Sequence, residues 1–268
     1  MRNTKIPWCD ETFNPITGCR HGCGYCYARK IAERFKAKGE LIEPETFRLS
    51  DGLIECNIQP HTIKNGMISK QAYPYGFEPC FNRYRLREFT EKKHQKNIFV
   101  GSMADIFGEW VPDRWIIEII ETLRKFPQYN YLFLTKNPQR YVELNNAGIL
   151  PTDENFWYGT TVTKADDPFM FGYPYKKFVS IEPLLEDLGE CRGALFAEWI
   201  IIGAETGNRK GKIIPERSWI ENIVRQCRDR NIPVFMKESL KDMWEENLIQ
   251  EYPEPLRRER ENESIEKG

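Results

Sequence analysis

Three cysteines, Cys19, Cys23 and Cys26, lie within the stretch "GCRHGCGYCYA" at the spacing C-x3-C-x2-C. Soft thiolates so close together select zinc or an iron–sulfur cluster. A structural zinc takes four ligands and usually joins one C-x2-C pair to a second, distant pair. Cys9, His21, Cys56 and Cys80 are the candidates for a fourth ligand, and none has that paired spacing. A [4Fe–4S] cube held by three thiolates instead leaves one iron open to a further ligand. The spacing therefore favours an open, reactive cluster, with a closed zinc as the alternative. Gly18, Gly22 and Gly24 give this backbone the freedom to bring three sulfurs together.

The elements that must position these thiols come next. Six segments read as strands buried on both faces: 97–103, 131–136, 156–162, 177–183, 198–204 and 232–238. Each is a block of β-branched and aromatic residues without alternation, as in parallel strands covered by helices. Between some of them run helical patterns. Trp115, Ile116, Ile119, Ile120 and Leu123 form one apolar face, and Trp219, Ile220, Ile223, Val224 and Cys227 form another. "NPQRYVELNNAG" predicts a short helix capped by Asn137 and Pro138. An earlier unit runs from the strand "ETFNPITG" through the cysteine loop to a helix amphipathic through Ala28, Ile31, Ala32 and Phe35. Strand and helix in series predict a parallel α/β sheet. The expected fold is a partial (β/α)6-type barrel over residues 1–240, with an irregular insertion at 40–96 after the first helix. Residues 241–268 are expected to be a charged, frayed extension.

The cysteine loop thus sits between the first strand and the first helix, on the carboxyl edge where α/β folds place chemistry. C-x3-C-x2-C with an aromatic residue, Tyr25, before the last cysteine resembles the signature of radical S-adenosylmethionine enzymes. "FNPITGCRHGCGYCYA", "VGSMADIFGEWVP", "LTKNPQR", "SIEPLL", "IIGAETG" and "PVFMKES" together resemble a phage-associated radical S-adenosylmethionine family of unassigned function. The likeness spans roughly residues 12–240, nearly the whole barrel. It implies a [4Fe–4S] cluster on Cys19, Cys23 and Cys26, whose open iron is chelated by S-adenosyl-L-methionine. It further implies reductive cleavage of that cofactor, hydrogen abstraction from a substrate, and Tyr25 near the adenine. An electron donor of the flavodoxin or ferredoxin type is the implied partner. Many superfamily members carry a Gly-Gly-Glu-like motif after the second core strand; here that strand ends "GSMAD", where Ser102 and Asp105 can take over the task.

The cofactor's ammonium, carboxylate and ribose hydroxyls each require a charged or hydroxylic partner in a partly dry pocket. The strand ends offer Ser102, Asp105, Lys136, Thr160, Thr161, Glu182 and Glu205. Lys136 suits the carboxylate, Glu182 or Glu205 the ribose or ammonium, and Thr160 or Thr161 the ribose. Strand ends are polar in most α/β proteins, so each of these residues also has a plain structural reading. Lys237 and Glu238 on the last strand read equally well as an ion pair. Cys9, Cys56, Cys80 and Cys191 show no ligand spacing, and His61 and His94 are isolated.

Composition bounds the partners. Of 268 residues, 39 are Lys or Arg and 40 are Asp or Glu, so any attraction to a polyanion must be local. No stretch approaches a membrane span, and the first residues lack a signal peptide's apolar core. The expectation is a cytoplasmic protein with reduced thiols. Residues 61–96 hold eight Lys or Arg against three Glu, interleaved with six Phe or Tyr. That mixture suits a single-stranded or flipped nucleic-acid substrate, in modification or repair. It equally suits an insertion that packs on the barrel with its charges solvated. A small molecule or peptide substrate, and a non-catalytic zinc-stabilised module that binds nucleic acid, are the competing readings.

Overall fold

The computed structural model describes residues 2–91, 96–169, 175–191 and 196–257. Seven parallel strands follow one another across a single curled sheet: β1 (Glu11–Phe13), β2 (Asn97–Val100), β3 (Asn130–Thr135), β4 (Phe156–Val162), β5 (Lys176–Ile181), β6 (Trp199–Ile202) and β7 (Val234–Met236). Arg2–Asn3 adds a short antiparallel strand beyond β1. All six blocks read from the sequence contain a strand, and the unit before the cysteine loop supplies the seventh.

The expected partial (β/α)6 barrel is corrected by what covers the strands. The sheet is a seven-stranded half-barrel with few helices, supplemented by small sheets, so the molecule is mixed α/β. Four helices of eight residues or more are described: α1 (Tyr27–Arg34), α2 (Asp113–Leu123), α3 (Gln139–Asn146) and α4 (Arg217–Arg228). No α-helix lies among the described residues joining β4 to β5 or β5 to β6. The physical reason is composition: Pro168, Gly172 and Pro174 punctuate the first link, and Pro183, Gly189 and Gly193 the second.

The insertion is also not irregular. Ile16–Thr17, Cys80–Asn82, Ile54–Cys56 and Thr46–Arg48 form a four-stranded sheet; Glu40–Ile42, His61–Lys64 and Met67–Lys70 form a three-stranded one. Asn65 and Gly66 both adopt positive φ, 52° and 74°, which makes the tight turn between the last two strands. Leu53, Phe81 and Phe89 of this region enter the main core. Five of the six rings interleaved in 61–96, Tyr75, Phe77, Phe81, Tyr84 and Phe89, are buried and serve packing, and Tyr73 is half-buried. Lys92, Lys93 and His94 lie outside the described residues.

Alternation along the strands sends side chains to opposite faces. Outward residues of β1–β4 pack against α2 and α3, and those of β5–β7 against α4. Inward residues Phe99, Leu132, Trp157, Phe178, Trp199, Ile201 and Phe235 fill the hollow, joined by Trp8, Tyr252 and Leu256. Residues 241–257 are therefore not frayed. Asn97 and Asn130, the first residues of β2 and β3, donate to the carbonyls of Leu256 and Pro255, 2.8 and 2.9 Å away. The C-terminal segment thereby closes the amino-terminal end of the half-barrel. Residues 258–268 of the expected tail lie outside the described residues.

Candidate functional site

The hollow is open at the other end. An open cleft of about 210 Å³ lies at the carboxyl ends of the strands, and Cys19, Cys23, Tyr25 and Cys26 line it together with residues of β2 to β5 and of the segments that follow β6 and β7. The cysteine loop is held there by backbone bonds. Gly18 N–H donates to Met103 O at 3.0 Å and Cys19 N–H to Phe77 O at 3.4 Å. Gly18 (φ +89°) and Gly22 (φ +71°) use the left-handed region, whereas Gly24 does not. A Cβ on Gly18 would stand 2.2 Å from the carbonyl oxygen of Glu78. Cys26 caps α1, its Sγ accepting from Arg29 N–H at 3.3 Å. Burial pushes the Cys19 thiol up to about 12, only partly offset by the His21 backbone N–H; the charges of Asp105, Cys23 and Cys26 add to the rise.

Asp105 organises the wall below the loop. Its Oδ2 accepts from His21 Nε2 (2.7 Å), Thr135 Oγ1 (3.0 Å) and Lys136 N–H (2.9 Å), and its Oδ1 from Phe107 N–H (3.0 Å). Asp105 is 5% exposed and lines the cleft, with three of its four donors on Oδ2 and one on Oδ1. The His21 ring packs edge-on against Trp110 at 4.9 Å, so the motif's histidine ties the cysteine loop to the ends of β2 and β3. Ser102 is similarly engaged: its hydroxyl bonds to Asn14 Oδ1 (3.1 Å) and its carbonyl accepts from Tyr27 Oη (2.8 Å). Lys136 is different. Its Nζ stands 5.5 Å from the centre of the Tyr25 ring, with no acidic partner among the described residues, and both residues line the cleft. Burial, then the neighbouring Cys23, pushes the Tyr25 phenol upward, so it stays neutral.

The facing wall comes from β4–β7. Thr161 lines the cleft, whereas Thr160 follows Phe156 and Tyr158 onto the outward face and does not. Glu182 lines the cleft and is paired with Lys237. A Cβ on Gly203 would come within 3.1 Å of Lys237 and 3.3 Å of Glu182, so the glycine makes room for that pair. Lys237 thus bonds Glu182 across the sheet, not its neighbour Glu238. Glu205 also lines the cleft, but Arg209 holds it with two bonds of 2.6 and 2.7 Å, which keep its carboxyl below the usual range. Ser180 is fully buried on this wall, and its Oγ has no partner among the described residues. A lone polar residue inside the block "KFVSIEP" was its sequence signal. His21 and Lys237 carried none beyond their position.

The residues fit a thiolate-held cofactor. Among the described residues no three His, Cys, Asp or Glu side chains converge as a single-ion site requires. A cube differs from a single ion because its thiolates hold separate irons at separate corners. Of the candidate fourth zinc ligands, His21 lines the same cleft but its Nε2 is bonded to Asp105; Cys9 is buried below the cleft, and the Cys56 and Cys80 sulfurs face each other at 3.5 Å inside the small sheet. Ser180, Lys136 and the Glu182–Lys237 pair are further polar groups that line the same cleft. No helix among the described residues is long and apolar enough to cross a membrane. No curated protein and no solved structure matches the chain significantly. One family does, over residues 3–253, and the chain belongs to it: "Protein of unknown function (DUF5131)".

Proposed function

We propose that this protein is a radical S-adenosylmethionine enzyme. The observation that carries the reading is spatial: Cys19, Cys23, Cys26, Tyr25, Lys136 and Glu182 line one cleft at the carboxyl ends of parallel strands. When bound, a [4Fe–4S] cluster with an open iron supplies the electron that cleaves S-adenosylmethionine and makes a hydrogen-abstracting radical available. The chain's own part is binding, orientation and exclusion of water. Cys19, Cys23 and Cys26 would hold the cluster, on a loop fixed by the His21–Asp105 bond. Lys136 would meet the cofactor's carboxylate, Glu182 its ammonium or ribose, and Thr161 or Ser180 a ribose hydroxyl. The Tyr25 ring would lie along the adenine. Trp8, Phe99, Trp157, Phe178 and Trp199 close the cleft from below, which keeps water from a reactive centre. The electron comes from an external reductant of the flavodoxin or ferredoxin type.

Electron paramagnetic resonance of anaerobically reconstituted, dithionite-reduced protein tests this. The expected result is a [4Fe–4S] signal that shifts on adding S-adenosylmethionine and is lost in Cys23→Ala. Stoichiometric zinc with no iron signal under any loading would sink it.

A further inference from the structure

The rim of the cleft bears a charge that the whole molecule does not. Residues 27–38, α1 and its exit, carry Arg29, Lys30, Arg34, Lys36 and Lys38 against Glu33 alone. Glu33 is turned away, accepting from Phe77 N–H at 3.0 Å. The loop 206–214 carries Arg209, Lys210 and Lys212; Arg209 is committed to Glu205, which leaves Lys210 and Lys212 as its unneutralised charges. These two segments adjoin: Lys30 Nζ lies 3.9 Å from where a Cβ on Gly207 would stand. Tyr27 and Ala28 at one end, and Thr206 at the other, line the cleft itself, so the basic surface runs into its mouth. The chain's net charge is −1, so this is local segregation.

Apolar side chains share the same surface. Tyr27, Ile31 and Phe35 recur every four residues along α1 and form one exposed stripe; Phe35 is 57% exposed. Arg34 stacks over the Phe35 ring at 5.5 Å. Ile213 and Ile214 are exposed on the neighbouring loop, the latter 64%. Helix α1 therefore buries only Ala28 and Ala32, and its large apolar residues face outward. Cations interleaved with exposed rings are what a single-stranded nucleic acid requires, phosphates taking the charges and bases the ring faces.

We infer that this rim, α1 with the loop 206–214, binds single-stranded nucleic acid and presents it to the cleft. The inference takes its chemistry from the reading above, but the binding surface stands on charge and exposure alone. An acidic electron carrier is the rival occupant. The rim disfavours it, because a globular protein seated there would block the mouth through which substrate must pass.

The test is fluorescence anisotropy of a labelled single-stranded oligonucleotide with the full chain, across a salt series. Binding should weaken linearly in log–log form, with a slope of about −0.7 for each phosphate neutralised. The Lys30→Glu, Arg34→Glu, Lys212→Glu triple variant should bind at least about tenfold more weakly and with a shallower slope. Phe35→Ala should weaken binding with the slope unchanged. Circular dichroism establishes that both variants are folded. No binding by folded wild type at low salt would overturn the proposal. So would an unaffected triple variant, or heparin binding equal to that of the oligonucleotide with Phe35→Ala unaffected. Charge-dependent capture of flavodoxin without any oligonucleotide binding would assign the surface to the carrier instead. Wild-type protein prepared iron-free should retain the oligonucleotide affinity, so failure of the cluster reading and failure of this one register separately.

Discussion

Among the charged residues of the cleft, Lys136 and Glu205 have opposite prospects. Lys136 has no carboxylate partner among the described residues and packs its ammonium against Tyr25, so its charge is available to a ligand. Lys136→Met keeps the stem and removes the charge. In reconstituted protein, calorimetry should show S-adenosylmethionine binding weakened by about tenfold or more, with the cluster's visible absorbance retained; unchanged affinity would remove Lys136 from the cofactor site. Glu205 is committed to Arg209, which holds its carboxyl below the unfolded value. A depressed folded pKa contributes stability that is present above the unfolded carboxyl pKa, about 4.3, and lost as pH falls through the folded one. Glu205→Gln should therefore lower the melting temperature at pH 7, with the gap closing below about pH 4. A gap of the same size at pH 7 and pH 3 would show that the ion pair contributes nothing.

The cysteine loop depends on one glycine more than the others. Gly18 combines φ of +89° with a Cβ position 2.2 Å from a backbone oxygen, and backbone cannot swing aside as a long side chain can. Gly18→Ala should cost roughly 2–4 kcal/mol in urea unfolding and impair cluster loading. Gly24→Ala, with open space around it and no positive φ, is the control and should be near neutral. Equal effects of the two would mean that the Gly18 contact is not maintained in solution. Element legibility followed the same local logic. Blocks such as "YLFLTK" and "EWIIIGA" announced buried parallel strands because both faces are covered. The insertion's strands are three or four residues long and were unread, although Asn65-Gly66 is a hairpin turn signal of real strength. The amphipathic reading of α1 was half right: Ala28 and Ala32 are buried, but Ile31 and Phe35 face outward. A sequence pattern shows that an apolar stripe exists, not that a partner covers it within the same chain.

The whole molecule is a half-barrel closed from below by its own ends. Tyr252 packs against Trp199 and Phe235 at 5.4 and 5.3 Å, and its hydroxyl donates to Pro7 O at 3.0 Å. A chain ending at residue 240 would expose this aromatic floor. Its loss of stability should be roughly 3–8 kcal/mol, from about three large buried side chains, with increased binding of a hydrophobic dye. A truncated chain with wild-type unfolding behaviour would show that the segment is not part of the core. The floor also explains why the cleft is a dead end whose mouth carries the molecule's segregated positive charge.

By itself the sequence determined what depends on near neighbours: the thiol triplet, the buried strand blocks, the turn glycines and the polar residues at strand ends. Each is a local pattern with a period or a spacing. Tertiary structure alone decided which polar residues are free. Thr161 and not Thr160 faces the cleft because a period of two must be phased by the sheet. Asp105 and Ser102 are bonded to partners distant in sequence, Lys237 reaches Glu182 across β6, and Lys136 has no acidic partner among the described residues. Those outcomes turn on contacts between residues dozens of positions apart, which no local pattern encodes.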